Sequence, residues 1–187
     1  AFDQPGFKEM LGDVVEIDET FMGGDAKNKH ANKKKKNENG GTIHEQIPVL
    51  GMRQRGGNII CQVVPNRHKT TLLPIIVENV AADTTVMTDE LPAYKDLKND
   101  YNHYRVNHGA KEYVNAMAHT NGIENFWSHL KRGVDGIYHW VSKEHLQAYV
   151  DEFTLRFNTR TMNTQGRFNL ILGGLTNTKL TYEDLIN

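Results

Sequence analysis

Residues 14–21 read VVEIDETF. The β-branched residues and the partial alternation of apolar with polar positions predict a strand over Val14–Phe21, and Gly23-Gly24 ends it. Asp18 falls mid-strand beside Ile17. Strand interiors disfavour Asp, so a carboxylate there is expected to bind something.

The pattern continues outward from this strand. Ile47–Arg53 and Asn58–Val64 are two short apolar runs split by Arg55-Gly56-Gly57, a β-hairpin signature. Thr70–Val80 reads as a helix, with Thr70 or Thr71 as its N-cap and Pro74 in the first turn. Thr84–Thr88 is a short buried strand running into Asp89, Ala93–Leu97 a short helix, and Tyr101–Val106 a fifth strand. The second half turns helical. Asn121–Arg132 carries Ile123, Phe126, Trp127 and Leu130 on one face, with Thr120 placed to cap it. Ser142 is expected to cap a further helix through Arg156, which places Leu146, Tyr149, Val150, Phe153 and Phe157 together. The order predicts a mixed α/β sheet with helices packed against it. The domain spans 14–160, preceded by a lead-in at 1–13 from an upstream region and followed by a tail at 161–187 that packs on it. Thr181–Ile186 reads as a last helical turn.

Composition narrows the class. A chain of 187 residues with 24% charged and 38% hydrophobic residues is about one domain, neither disordered nor membrane-spanning. No apolar run approaches the roughly 20 residues a bilayer requires. The single cysteine, Cys61, excludes an internal disulfide and a zinc site built mainly on thiolates. The expected setting is the reducing cytoplasm. The histidines offer no HExxH pair.

The net charge of −1 conceals a segregation. Residues 1–26 carry seven acids against the single base Lys8. Residues 27–69 carry ten bases against Glu38 and Glu45. The segment 25–46, with Lys33, Lys34, Lys35 and Lys36 in a row, lacks any hydrophobic period and reads as a basic insertion suited to nucleic acid.

Three carboxylates stand out: Asp18 in one strand, Asp89 at the end of another, and Glu124 on the amphipathic helix. Strand ends are where sites in α/β sheets are built. Acids on two strands and a helix can share a pair of divalent cations, which in phosphodiester displacement assist both the attacking and the leaving oxygen. Lys131 lies seven residues after Glu124, close to two helical turns, so both project from one side, with Asn121 and Ser128.

Three blocks then carry a resemblance: EIDETFMGG at 16–24, TDELPAYKDL at 88–97, and HTNGIENFWSHLKRGVDGIYHWVSKEHLQAYVDEFTLRFNTR at 119–160. The sequence resembles the catalytic domain of DDE-type insertion-sequence transposases of the ISXO2-like (IS1595) family, over nearly the whole chain from about Val14. The resemblance implies an RNase H-like fold and an acidic triad at Asp18, Asp89 and Glu124, the last two separated by 34 residues. Asn121 and Asn125 flank the third position, where family members carry Glu, Asn or His. It further implies Lys131 as the basic residue after the third acid. The cofactor it implies is a pair of Mg²⁺ ions, with Mn²⁺ as substitute. The partners it implies are transposon-end and target DNA, with the chain expected to work as a homodimer or larger assembly on DNA in the bacterial cytoplasm, at the nucleoid. Asn121, Lys33–Lys36 and Arg132 are candidates for supporting the site or contacting DNA. The expected function is DNA end cleavage and strand transfer. A related nuclease that cuts without joining, and a DNA-binding remnant without catalysis, are the alternatives.

Overall fold

Along the chain of the computed structural model come β1 (Val14–Met22), β2 (Ile47–Gln54), β3 (Ile59–Val63), α1 (Lys69–Asn79) and β4 (Thr85–Thr88). A 3-10 segment (Pro92–Asn99), β5 (Asn102–Arg105), α2 (Asn121–Gly133), α3 (Leu146–Asn158) and α4 (Thr164–Leu175) follow. Residues 9–23, 46–106, 119–138 and 141–175 are described. The expected basic insertion, His139-Trp140 and the last helical turn at Thr181–Ile186 lie outside them.

The five strands form one sheet in the order β3-β2-β1-β4-β5. β1, β2 and β3 pair antiparallel, whereas β4 and β5 join parallel to β1. The parallel pairings need crossovers, which α1 and the 3-10 segment supply. This is the mixed α/β architecture expected of an RNase H-like domain.

Alternation along β1 divides the interior into two layers. Val15 and Ile17 pack with Leu72 and Ile76 of α1 and with Tyr94 and Leu97 of the 3-10 segment. Met22, on the other face, joins Val49, Ile59, Ile123, Phe126, Trp127, Leu130 and Val150. The apolar stripe of α2 is wholly buried, as its spacing predicts, at about 1.5–3 kcal/mol for each such side chain. The rings of Phe126 and Trp127 are tilted at 5.4 Å, and Phe126 meets Phe157 of α3 edge-on.

Three helix ends differ from expectation. α1 opens at Lys69, with His68 rather than Thr70 or Thr71 at the cap position. Asn66 Oδ1 accepts both the His68 N–H and the Thr71 hydroxyl, which tightens the entry and leaves Pro74 inside the helix. α3 opens at Leu146 after a turn at 143–145, so Ser142 does not cap it. Thr120 stands at the N-cap position of α2 without a side-chain capping bond. α4 was not expected. Its three glycines and poor apolar period hide it in the sequence, although Asn163 Oδ1 accepts the Gly166 N–H at 2.7 Å near its start. No described helix is long and apolar enough to cross a membrane.

Candidate active site

β4 ends at Thr88, which lies opposite Ile17 in the parallel pairing with β1. Asp18 and Asp89 are therefore the next residue on each of two neighbouring strands, which run about 4.8 Å apart. Beyond this point β1 continues to Met22 without β4 beside it. In that notch Asp18, Glu19 and Asp89 each bring a carboxylate oxygen within 4.8 Å of the others. Glu19 is the member that the sequence reading did not single out. Its only signal was adjacency to Asp18, and strict alternation would have sent it to the far face.

Each acid has a distinct set of partners. The Trp127 indole N–H donates to Asp18 Oδ2 at 3.0 Å. Asp89 Oδ1 accepts the Leu91 N–H at 2.8 Å, so Asp89 also shapes the turn into the 3-10 segment. Glu19 Oε2 lies 4.0 Å from Arg67, whose guanidinium stacks over Phe21. Glu19 Oε1 is buried and accepts no hydrogen bond from the described residues.

Burial raises the Asp18 carboxyl to about 6. The bonds from Trp127 and the Glu19 backbone oppose that rise, while the charges of Asp89 and Glu124 add to it. Burial, then Asp89, then Asp18 push Glu19 to about 8, and only Arg67 works against them. The cause is general: removing a carboxylate from water and placing it beside others disfavours the ionised form.

α2 brings the third expected acid. Glu124 is close enough to act on the charge of Asp18 but is not part of the tight trio. Its Oε1 accepts from the Thr120 hydroxyl at 2.9 Å. Lys131 and Asn121 are exposed on the same helix. Arg132 donates through Nε to the Ser128 carbonyl within α2. Arg160 lies over Phe157 and donates to the Phe157 and Gly57 carbonyls, and Arg156 pairs with Glu152. Lys33–Lys36 lie outside the described residues.

The first turn of α2 is tied to β1 by Glu16, which is completely buried. Glu16 Oε2 accepts the Ile123 N–H at 2.9 Å and lies 3.4 Å from Arg53 Nη1. Glu16 Oε1 accepts from Arg55 Nε at 2.8 Å and lies 3.6 Å from His119 Nδ1. Arg55 Nη2 also donates to the His119 carbonyl at 2.7 Å. Sequence reading missed this cluster, because its partners lie 37 to 107 residues from Glu16.

The trio suits a hard divalent cation. Its donors are all carboxylate oxygens, the set that Mg²⁺ and Mn²⁺ prefer. Crowded acids, with Glu19 raised by the charges of Asp89 and Asp18 and one buried oxygen lacking a donor among the described residues, form a site whose charge a cation would offset.

Comparison with known proteins points the same way. The family model of the ISXO2-like transposase domain matches residues 10–158. A protein of Haemophilus influenzae, described as an uncharacterized transposase-like protein, is 38% identical over 104 residues, covering 55% of this chain and 83% of that protein. No solved structure matches. The fold, the clustered acids at β1 and β4 and these matches lead to one identification: the chain belongs to the ISXO2-like transposase domain family.

Proposed function

We propose that this chain is the catalytic domain of a DDE transposase that cleaves DNA ends and joins them to target DNA. The observation that carries the reading is the placement of Asp18, within β1, next to Asp89, just past the end of β4, with Glu124 on α2 near enough for its charge to act on Asp18. Residues 14–160 form the catalytic unit. Asp18, Asp89 and Glu124 would hold the divalent cations, and Glu19 adds a fourth carboxylate beside Asp18 and Asp89. When bound, two such ions activate the attacking oxygen and stabilise the leaving one.

The chain's own residues orient the reaction. Trp127 occupies Oδ2 of Asp18 and thereby fixes how its other oxygen presents. Lys131 supplies positive charge to a phosphate, and Arg132 with Lys33–Lys36 tracks the DNA backbone. In the first step water attacks the phosphorus at the element end. The P–O3′ bond breaks and a free 3′-OH results. In the second, that 3′-OH attacks a target phosphodiester, a new P–O bond forms, and the target's own 3′ oxygen leaves. Joining two ends requires two active sites, so the working unit is a dimer or larger assembly on DNA.

The test is Mn²⁺-dependent joining of a labelled, pre-cleaved DNA end into plasmid. Joined product supports the transposase. Nicking without joining makes the protein a nuclease instead. Neither activity, with DNA binding retained, leaves a non-catalytic DNA-binding protein.

A further inference from the structure

Two hydrogen bonds index α2 against β1. Glu16 takes the Ile123 N–H and, two residues on, Asp18 takes the Trp127 indole N–H. A two-residue step along a strand is about 6.6 Å, and the four-residue step from Ile123 to Trp127 along a helix is about 6 Å. The two rungs therefore match, and Glu124 lies between them in the sequence of α2. From these contacts we infer that Glu16 is a positioning residue: its buried carboxylate holds the first turn of α2 in the register that presents Glu124 to Asp18. The inference rests on the transposase reading above.

Stability alone does not explain such a group. A buried ion cluster carries a desolvation penalty that often equals or exceeds its attraction, and apolar replacements are commonly neutral or stabilising. The best-attested use of buried charge is to specify register. The local chemistry agrees. Glu16 does what a capping side chain on α2 would do, while Thr120, at the cap position, bonds to Glu124 instead. Arg55 bridges Glu16 to the carbonyl of His119, which fixes the approach to the helix as well as its first turn. Gly122 closes the arrangement: a Cβ there would lie 1.8 Å from Arg53 Nη1 and 2.7 Å from Glu16 Oε2. The helix reaches the cluster with bare backbone.

The experiment compares wild type with Glu16→Gln and, as a second route that leaves every ionisable group in place, Gly122→Ala. Circular dichroism and thermal unfolding report folding. Titrating Mn²⁺ in the joining assay reports how well the acids are presented, and DNA affinity is measured in parallel. Amide exchange at Ile123 reports the rung itself. The expected result is a folded variant with faster Ile123 exchange, an Mn²⁺ requirement raised about tenfold or more, and unchanged DNA affinity. A tenfold change is a modest displacement in energy, in keeping with one lost charged hydrogen bond. A folded Glu16→Gln or Gly122→Ala protein with wild-type Mn²⁺ dependence per active molecule overturns the inference and leaves the transposase reading intact. A wild-type protein that joins nothing overturns the reading itself.

Discussion

The indole of Trp127 donates to Asp18 Oδ2 at 3.0 Å, joining the core of one layer to the acid in the middle of β1. Trp127 is buried with Ile123, Phe126 and Leu130. Its ring is therefore held by packing, and its N–H is a fixed donor. Replacement by Phe keeps most of the buried area and removes only that donor. An acceptor left without its partner costs about 1–3 kcal/mol. In Trp127→Phe the Asp18 carboxyl should rise further, since this bond opposes the effect of burial. The acidic limb of the pH profile for joining should then move to higher pH, with unfolding shifted by no more than that cost. An unmoved limb would detach Trp127 from the chemistry.

Gly51 makes room for that indole. A Cβ at this position of β2 would lie 2.5 Å from Cη2 and Cζ2 of Trp127 and 2.9 Å from Cδ1 of Ile123. These are buried ring and core atoms with little space to yield. Gly51→Ala should lower stability by about 1–3 kcal/mol, in the range of overpacked cores. It should also displace Trp127 from Asp18, seen as a shift of the indole N–H resonance. An unchanged melting temperature would show that the strand can move away freely.

The raised carboxyls make stability depend on pH in a definite direction. Asp18 moves from 3.8 to about 6 and Glu19 from 4.5 to about 8 on folding. A folded state that holds protons more tightly than the unfolded chain loses stability as pH rises across that window. In chelator, the contribution of these two groups should be full below about pH 4 and lost progressively up to about pH 8. Glu19→Gln should flatten the fall in melting temperature between pH 5 and pH 8, taken as rough bounds of the same window. Added Mn²⁺ should stabilise the wild type more at the upper bound than at the lower, because binding only to the folded state raises its stability. Equal increments at both pH values would argue against cation binding by these acids.

Cys61 supplies an internal reporter of folding. It lies buried on β3, and burial pushes its thiol far above the ordinary range, with Asp151 adding to the effect and Thr154 opposing it. Only the thiolate reacts with alkylating reagents. Modification of the native protein at mildly alkaline pH should therefore be slow and should accelerate with denaturant in parallel with unfolding. Rapid labelling of the native protein would place Cys61 nearer the surface.

Much of this arrangement was legible in the sequence because it is local. The alternation of VVEIDETF gave β1 its two faces, the stripe at Ile123, Phe126, Trp127 and Leu130 gave α2, and a carboxylate inside one strand with another at a strand end marked the candidate site. What stayed hidden depends on chain segments far apart. Glu16 is one acid among seven in the first 26 residues until Ile123, 107 residues away, delivers its N–H. Glu19 joins Asp18 and Asp89 because β4 stops at Thr88, and strand lengths across a sheet leave no local mark. The helix caps failed for a related reason. Thr120 has the right residue type and place, but a neighbouring carboxylate takes its hydroxyl and a distant one does its work.

The central claim is that Asp18 and Asp89 form the working centre of the domain, and the most direct measurement is joining by three proteins under one set of conditions. Wild type, Asp18→Asn and Asp89→Asn would be assayed for Mn²⁺-dependent joining of a pre-cleaved DNA end, each with its far-ultraviolet dichroism recorded. Removing a cation ligand forfeits several kcal/mol of transition-state stabilisation, on the order of a thousandfold in rate. The expected result is joining by wild type and a loss of at least about that size in both folded variants. Joining at the wild-type rate by either variant would contradict the assignment.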